Sequence, residues 1–343
     1  MANDCFYCDN NIVNTIEDCT KTINCNCTTP SSINTLSLPT YYYECQEITI
    51  NVCDGNNIAE LIENTVENEN ISVRDGSNPD FNPPNIDYEY ITLCYDEPTQ
   101  QYLLSEANTV EIAAYWGGEK VYQYFQTNNI NSYDNMGSEL EIVVHDYDTD
   151  EFGNPFAFSG ARWSEEYKKL FLGDGKEGEN TPMGTLDIIA HEYTHAVLNN
   201  HYKIVDNVAV EPESGGIHEG LADIMSVLVR QNTADFSEPI EWKWQIGDLI
   251  QIGDGSADTD FPRKLHNPHD QENPQAMYYG SDVFESEELW NENKKYDMAG
   301  VLAYWFYLLT EGGVGIKGLP IEGSIDLSIS EAILFETLNQ LKL

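Results

Sequence analysis

The sequence predicts an α+β fold in two lobes, β-rich in front and α-helical behind. Three observations carry that expectation. Short alternating apolar and polar stretches, separated by Asn, Gly and Pro, dominate the front half. Apolar residues at helical spacing dominate the back half. At the junction, "DIIAHEYTHAV" (187–197) sets two histidines and a glutamate inside an apolar run, and a site is expected between the lobes.

Residues 1–40 are rich in Cys, Asn and Thr, without periodicity, and read as a stapled, loop-dominated segment. Residues 41–104 hold "YYYECQEITINV" and "DYEYITLCY", broken by "DGSNPDFNPPN", the pattern of strands joined by long turns. From Asn108, "NTVEIAAYWGGEKVYQYF" has apolar residues at helical spacing behind an Asn cap. "ELEIVVHDY" (139–147) reads as a strand, and "RWSEEYKKLFLGDG" (162–175) as a second β segment ending in a Gly turn. A helix is expected to start near Thr181–Pro182 and carry the junction motif. Others are expected over about Gly216–Arg230, about Met298–Thr310, and from about Ser328 onward. The expected divisions are a cysteine-rich segment 1–94, a β-rich lobe 95–200 that ends in the motif helix, and a helical lobe 201–343.

Charge narrows the partners. With 59 acidic and 16 basic residues the chain carries a net charge of −43, a surface that repels nucleic acid and anionic membranes. It suits solubility, or a salty medium or bound cations that screen the self-repulsion. The longest apolar stretch, "GVLAYWFYLL" (300–309), is too short to span a bilayer. The first residues, "MANDCFYCDN", lack the basic and apolar regions of a signal peptide. Either a signal was removed upstream of this numbering or the chain is cytosolic.

All eight cysteines, Cys5, Cys8, Cys19, Cys25, Cys27, Cys45, Cys53 and Cys94, lie in the front segment. An even count in a polar segment points to a disulfide framework and an oxidising compartment. The rival reading is zinc held by the C-x-x-C at 5–8 and the C-x-C at 25–27, but no second C-x-x-C accompanies the first. Spacing does not reveal the pairing.

His191 and His195 are four residues apart on a helix, so two imidazoles project from one face and can bind one tetrahedral ion. Glu192 is placed to act as a general base beside that ion without ligating it. A third ligand is needed, and "GGIHEGLADI" (215–224) offers Glu219 with Asp223 one turn later. Glu219 completes a His₂Glu shell, and Asp223 accepts the second ring N–H of a ligand histidine, His191. Chance produces the two-histidine motif in roughly one chain in a hundred of this size, but not together with a following E-x-x-x-D helix. His218, His201, His266 and His269 are read as packed or solvent-facing, and His145 as structural.

Together, "HEYTHAV", "ESGGIHEGLADI", "GARWSEEYKKLFLGDG" and "GVLAYWFYLLTEGG" resemble the thermolysin family of zinc metallopeptidases over roughly residues 95 to 340. The resemblance implies two lobes with one zinc ion on the central helix between them, hydrolysis of internal bonds in protein or peptide substrates, and secretion. It also implies that Arg263, in "DFPRKLHNP", binds a substrate carbonyl. Several positions depart from the family. Gly160 stands where an Asn contacts substrate backbone, and Val210 falls at or near an expected Tyr. Tyr296 replaces a His that stabilises the oxyanion, and Asn291 replaces its Asp partner. Tyr296 still offers an O–H. Asp187 matches a calcium-binding Asp and Asp248 remains, but Arg230 and Gln245 stand where carboxylates are expected. Arg230 is either a fixed cation in the ion's place or a solvated helix-end residue. The sequence ends at "AILFETLNQLKL", earlier than the family's last lobe, as a fragment or a trimmed lobe.

The leading expectation is a secreted zinc endopeptidase with Glu192 as base, assisted by Tyr296 and Arg263. The competing one is a non-catalytic relative, a zinc-stabilised structural or binding protein that assembles through its cysteine-rich front.

Overall fold

The structure is a computed structural model. It describes residues 106–149, 155–175, 181–204, 212–233, 243–250, 262–270, 274–281, 294–315, 320–321 and 323–341, and, before those, Gly76 and the backbone of the strands β1 to β10 named below. The chain divides into two compact units, one of residues 1–122 and 137–185, the other of residues 123–136 and 186–343.

The first unit is built from strands. Tyr7–Cys8 (β1) and Asn11–Ile12 (β2) form a small hairpin. Ser32–Leu38 (β3), Gln46–Cys53 (β4), Ile58–Glu60 (β5), Thr92–Asp96 (β9) and Gln101–Leu103 (β10) form an antiparallel sheet in the order β10-β9-β5-β4-β3. Ile62–Thr65 (β6), Asn68–Asp75 (β7), Glu89–Tyr90 (β8), Leu140–Thr149 (β11), Pro155–Ala157 (β12), Ala161–Ser164 (β13) and Lys169–Gly173 (β14) form a second, mixed sheet. Its centre, β11, runs parallel to both β7 and β14. The segment 162–175 is therefore a hairpin, β13 to β14, rather than one strand.

The disulfide expectation concerns cysteine side chains that lie outside the described residues.

Helix α1 (Glu106–Thr127) starts two residues before Asn108, so Asn108 is not its cap. Glu106 and Ala107 are good helix formers and carry the helix back past it. Gly118 lets α1 approach the mixed sheet closely: a Cβ there would stand 2.8 Å from Ile142 Cδ1. Ile71, Val73, Ile112, Tyr115, Leu140 and Ile142 are buried in this layer.

The second unit is helical. Helix α2 (Leu186–Val197) begins at Leu186, not near Thr181–Pro182. The backbone N–H of Met183 is donated to the carbonyl of Gly173 at 3.0 Å, which ties that stretch to the end of β14 instead of into a helix. A π-helical turn, Leu198–Tyr202, continues α2 and ends where Lys203 turns left-handed at φ 60. Helix α3 (Pro212–Thr233) starts earlier than expected, with Pro at the front and Glu213 in its first turn, both favourable there. Helices α4 (Lys294–Glu311) and α5 (Leu327–Leu341) complete the unit, with the short pair Gln245–Ile246 (β15) and Arg263–Lys264 (β16) and the hairpin Gly313–Val314 (β17) and Pro320–Ile321 (β18). The architecture is α+β, with strands gathered in the first unit and helices in the second. Among the described residues no helix is long and apolar enough to cross a membrane.

Glycines bring α3 and α4 together. A Cβ on Gly216 would meet Met298 Cβ at 2.5 Å, and one on Gly220 would meet the Ala299 carbonyl oxygen at 2.8 Å. Glu219, between these glycines in sequence, is positioned by that close approach.

Candidate active site

Helix α2 brings His191 and His195 together one turn apart, and α3 brings Glu219 against them. His191 Nε2 lies 3.1 Å from His195 Nε2 and 3.1 Å from Glu219 Oε2, while His195 Nε2 lies 3.7 Å from Glu219 Oε2. A tetrahedral zinc ion with bonds of about 2.0–2.2 Å spaces its ligand atoms about 3.3–3.6 Å apart. The three observed separations bracket that value, so the residues present fit the metal. Among the described residues, this is the one trio of potential ligands with all ligating atoms within 4.8 Å of one another.

Each of the three groups has a partner on its far side. Asp223 Oδ1, on α3, lies 3.0 Å from His191 Nδ1. Lys295 Nζ, on α4, lies 2.8 Å from Glu219 Oε1, leaving Oε2 to face the histidines. His218 Nδ1 lies 2.7 Å from His195 Nδ1, with the two rings parallel to within 4°, and His218 Nε2 lies 3.2 Å from Asn199 Oδ1.

Electrostatics follow from this packing. Burial and the Arg263 charge push His191 down, but its hydrogen bonds to Asp223 and Glu219 outweigh them and raise it to about 9. Burial drives His195 well below its ordinary value; Glu219 opposes the shift, and His191, His218 and Lys295 add to it. Burial alone would raise Glu219, but the neighbouring His195 ring, the hydrogen bond and charge of His191, and the Lys295 ammonium hold it well below the usual carboxylate range, which keeps it ionised as a ligand must be.

Arg263, in β16, is 3% exposed. Its Nη2 lies 3.0 Å from Asp223 Oδ1 and its Nη1 3.9 Å from Glu219 Oε2, so it is first of all the counter-charge of those carboxylates. Glu192 follows His191 on α2 and is half-buried. Tyr296, in the first turn of α4, is half-buried too, and its hydroxyl feels Glu219, Lys295, Arg263 and Glu192. Burial, then Glu219, raises its pKa.

Residues 34–199 match the catalytic domain of thermolysin metallopeptidases, and residues 207–341 match the α-helical domain of the same family. The chain belongs to the thermolysin metallopeptidase family. Its relatives include neutral protease NprE of Bacillus pumilus, 29% identical over 172 residues, 50% of this chain and 48% of that protein. Neutral protease B of Bacillus subtilis (strain 168) is 27% identical over 66% of this chain and 36% of its own length. The transglutaminase-activating metalloprotease of Streptomyces mobaraensis is 26% identical over 61% of this chain and 24% of its own length. The chain thus spans about half or less of the length of these relatives. The solved precursor of protealysin, a metalloproteinase from Serratia proteamaculans, matches 79% of this chain and 81% of its own at 17% identity and a TM-score of 0.45.

Set beside the thermolysin family, several positions have local explanations. At Gly160 the ring of Phe158 occupies side-chain space, its Cζ 2.8 Å from where a Cβ would stand, and the Arg162 guanidinium lies 4.4 Å over that ring. Val210 and Asn291 lie outside the described residues.

The family's calcium does not fit the residues here. Arg230 is 4% exposed, so it is not a solvated helix-end residue. Its Nη1 and Nη2 both bond the Asp248 carboxylate, the second at 2.9 Å, and Nη1 also donates to the Gln245 carbonyl at 3.2 Å. Asp187 Oδ2 accepts the Gly247 N–H at 2.7 Å and lies 3.7 Å from Arg230 Nη1. Calcium requires six to eight oxygen ligands, whereas here a guanidinium stands among the carboxylates. Asp187 and Asp248 are thus the carboxylates around Arg230, the fixed cation that stands in the ion's place.

Three contacts of the site go beyond the sequence expectations. His218, expected to be packed or solvent-facing, is 2% exposed and packed directly against His195. Asn199 and Lys295 are the other two. Asn199 carries a sequence signal, because His191, His195 and Asn199 repeat at four-residue intervals on one helical face.

Proposed function

We propose that this chain is a zinc-dependent endopeptidase that hydrolyses internal peptide bonds of protein or peptide substrates. The observation that supports it best is the convergence of His191 Nε2, His195 Nε2 and Glu219 Oε2, with Glu192 next in sequence to a ligand. When bound there, zinc supplies Lewis acidity and lowers the pKa of water to about 7. Glu192 takes the proton of the attacking water on its carboxylate and returns it to the nitrogen of the departing amine. Tyr296 keeps its phenolic proton, since burial and Glu219 raise its pKa, and serves as a neutral donor to the oxygen that gains charge. Asp223 fixes the tautomer and orientation of His191, and Arg263 neutralises Asp223 while orienting the substrate. We place this activity in an oxidising, extracellular compartment, on the distribution of the cysteines and the family membership.

The test is Glu192→Gln. Zinc content and melting temperature should stay at wild-type values while hydrolysis of a casein or peptide substrate disappears. Retained hydrolysis would remove Glu192 as the base. A wild-type protein that holds zinc yet cleaves nothing would instead support the zinc-stabilised binding protein.

A further inference from the structure

We infer that His218 is a positioning residue for His195, and that with Asn199 it holds the second histidine in the one tautomer able to ligate a metal. The inference rests on the zinc reading of the His191, His195 and Glu219 site.

Two imidazole nitrogens 2.7 Å apart must contribute one N–H and one lone pair. One arrangement places the proton on His195 Nδ1. His195 Nε2 then presents its lone pair to the cluster that contains His191 Nε2 and Glu219 Oε2. His218 Nδ1 accepts, and His218 Nε2–H donates to Asn199 Oδ1 at 3.2 Å. Both hydrogen bonds run in the same sense, from the ligand outward. The opposite arrangement aims an N–H of His195 into the ligand cluster, where a cation would be repelled. A metal at this site therefore selects the first arrangement, and a buried His218 pre-forms it.

The fold supplies the parts economically. His195 and Asn199 are four residues apart, the second carried on the π-helical turn that continues α2. His218 precedes Glu219 on α3, so one dipeptide provides both a ligand and the orienter of another ligand. The two histidines are not equivalent. His191 is backed by the Asp223 carboxylate, whereas His195 is backed by a neutral ring.

Zinc affinity, measured by competition with a chromophoric chelator, tests this together with the exchangeable imidazole N–H signals of the cobalt-substituted protein. The expectation for His218→Leu is zinc bound about 10–100-fold more weakly, with the His195 N–H signal lost and the His191 signal kept. His218→Asn, whose amide oxygen can accept the same proton, should recover most of that loss. Asn199→Ala should weaken zinc by a smaller factor and speed exchange of the His195 N–H. If His218→Leu does not fold, the His218→Asn and Asn199→Ala comparisons decide: both variants indistinguishable from wild type in signal exchange and affinity would overturn the inference. So would a His218→Leu protein with zinc affinity within about twofold of wild type and both N–H signals intact. His195→Ala separates the two levels. Unchanged zinc binding there would sink the zinc reading itself, and the inference with it. Lost binding there, beside unchanged binding in His218→Leu, would sink the inference alone.

Discussion

Arg230 Nη1 lies 3.7 Å from Asp187 Oδ2 while the same guanidinium grips Asp248 with both of its terminal nitrogens. Two acidic groups thus share one covalently attached cation. The start of α2, where Asp187 sits, is thereby fixed without an exchangeable ion.

Calcium should therefore add no stability at this pair. At fixed free zinc, the Asp187 and Asp248 pair should contribute less than about 1 °C to any calcium-induced shift of the melting temperature, since an ion with no site there contributes no linkage. Arg230→Glu places a third carboxylate beside Asp187 and Asp248. It should be strongly destabilised without calcium and recover several degrees with it. Arg230→Gln should cost about 3–5 kcal/mol, the usual penalty for stripping one partner from a buried ion pair. A wild type stabilised by calcium at Asp187 and Asp248 would contradict this assignment.

Tyr296→Phe removes only a hydroxyl. If that hydroxyl is an oxyanion donor, kcat/KM should fall by about 10- to 1000-fold with an unchanged melting temperature. The wild-type profile should show no alkaline loss from this group below its raised pKa. Wild-type kinetics in the Phe variant would reduce Tyr296 to a packing residue at the start of α4.

His145 supplies a pH dependence remote from chemistry. It takes φ 57 at a register shift in β11, with Nδ1 2.6 Å from Asp174 Oδ1 and Nε2 3.5 Å from Glu111 Oε1. Burial lowers its pKa, but the hydrogen bond to Asp174 and the nearby Asp174 and Glu111 carboxylates outweigh burial and raise it to about 10 from 6.5. The folded state thus keeps a proton that the unfolded chain releases. The stabilisation is complete below pH 6.5, declines as pH rises, and is gone above about pH 10. Its ceiling is about 5 kcal/mol. Denaturant unfolding of wild type and His145→Gln should show a gap that closes between those limits. A constant gap would refute the assignment.

Gly220→Ala should destabilise the protein by about 1–3 kcal/mol through overpacking. The added carbon has to displace the Ala299 carbonyl or the Leu302 side chain, which would stand at 2.8 and 3.0 Å. Because Glu219 is the preceding residue, zinc affinity should fall as well. Unchanged affinity would show that Glu219 tolerates a shift of α3.

Much of this is legible without coordinates. The four-residue spacing on α2 and the E-x-x-x-D on α3 each specify one helical face, so His191 pairs with His195 and Glu219 with Asp223 from periodicity, and the need for a third metal ligand joins the pairs. His218 cannot. It sits about 100° around α3 from Glu219, and only the crossing of α2 and α3 turns that direction toward His195. Lys295 escapes for a similar reason, since its reach to Glu219 depends on how closely α4 approaches α3. The expected helix start near Thr181–Pro182 fails because a local Pro signal cannot reveal that Met183 is already bonded to β14. Arg230 is legible as an anomaly of charge, while its burial is not.

The glycines of α3 carry one more implication. With Gly216 and Gly220 set against Met298 and Ala299, α3 and α4 mesh like two gears with no slack between their teeth. Glu219 rides on one and Tyr296 on the other. A sideways creep of α4 under heat or a bulky ligand must drag the carboxylate with it, so loosening around Tyr296 would register at Glu219 well before the helices melt.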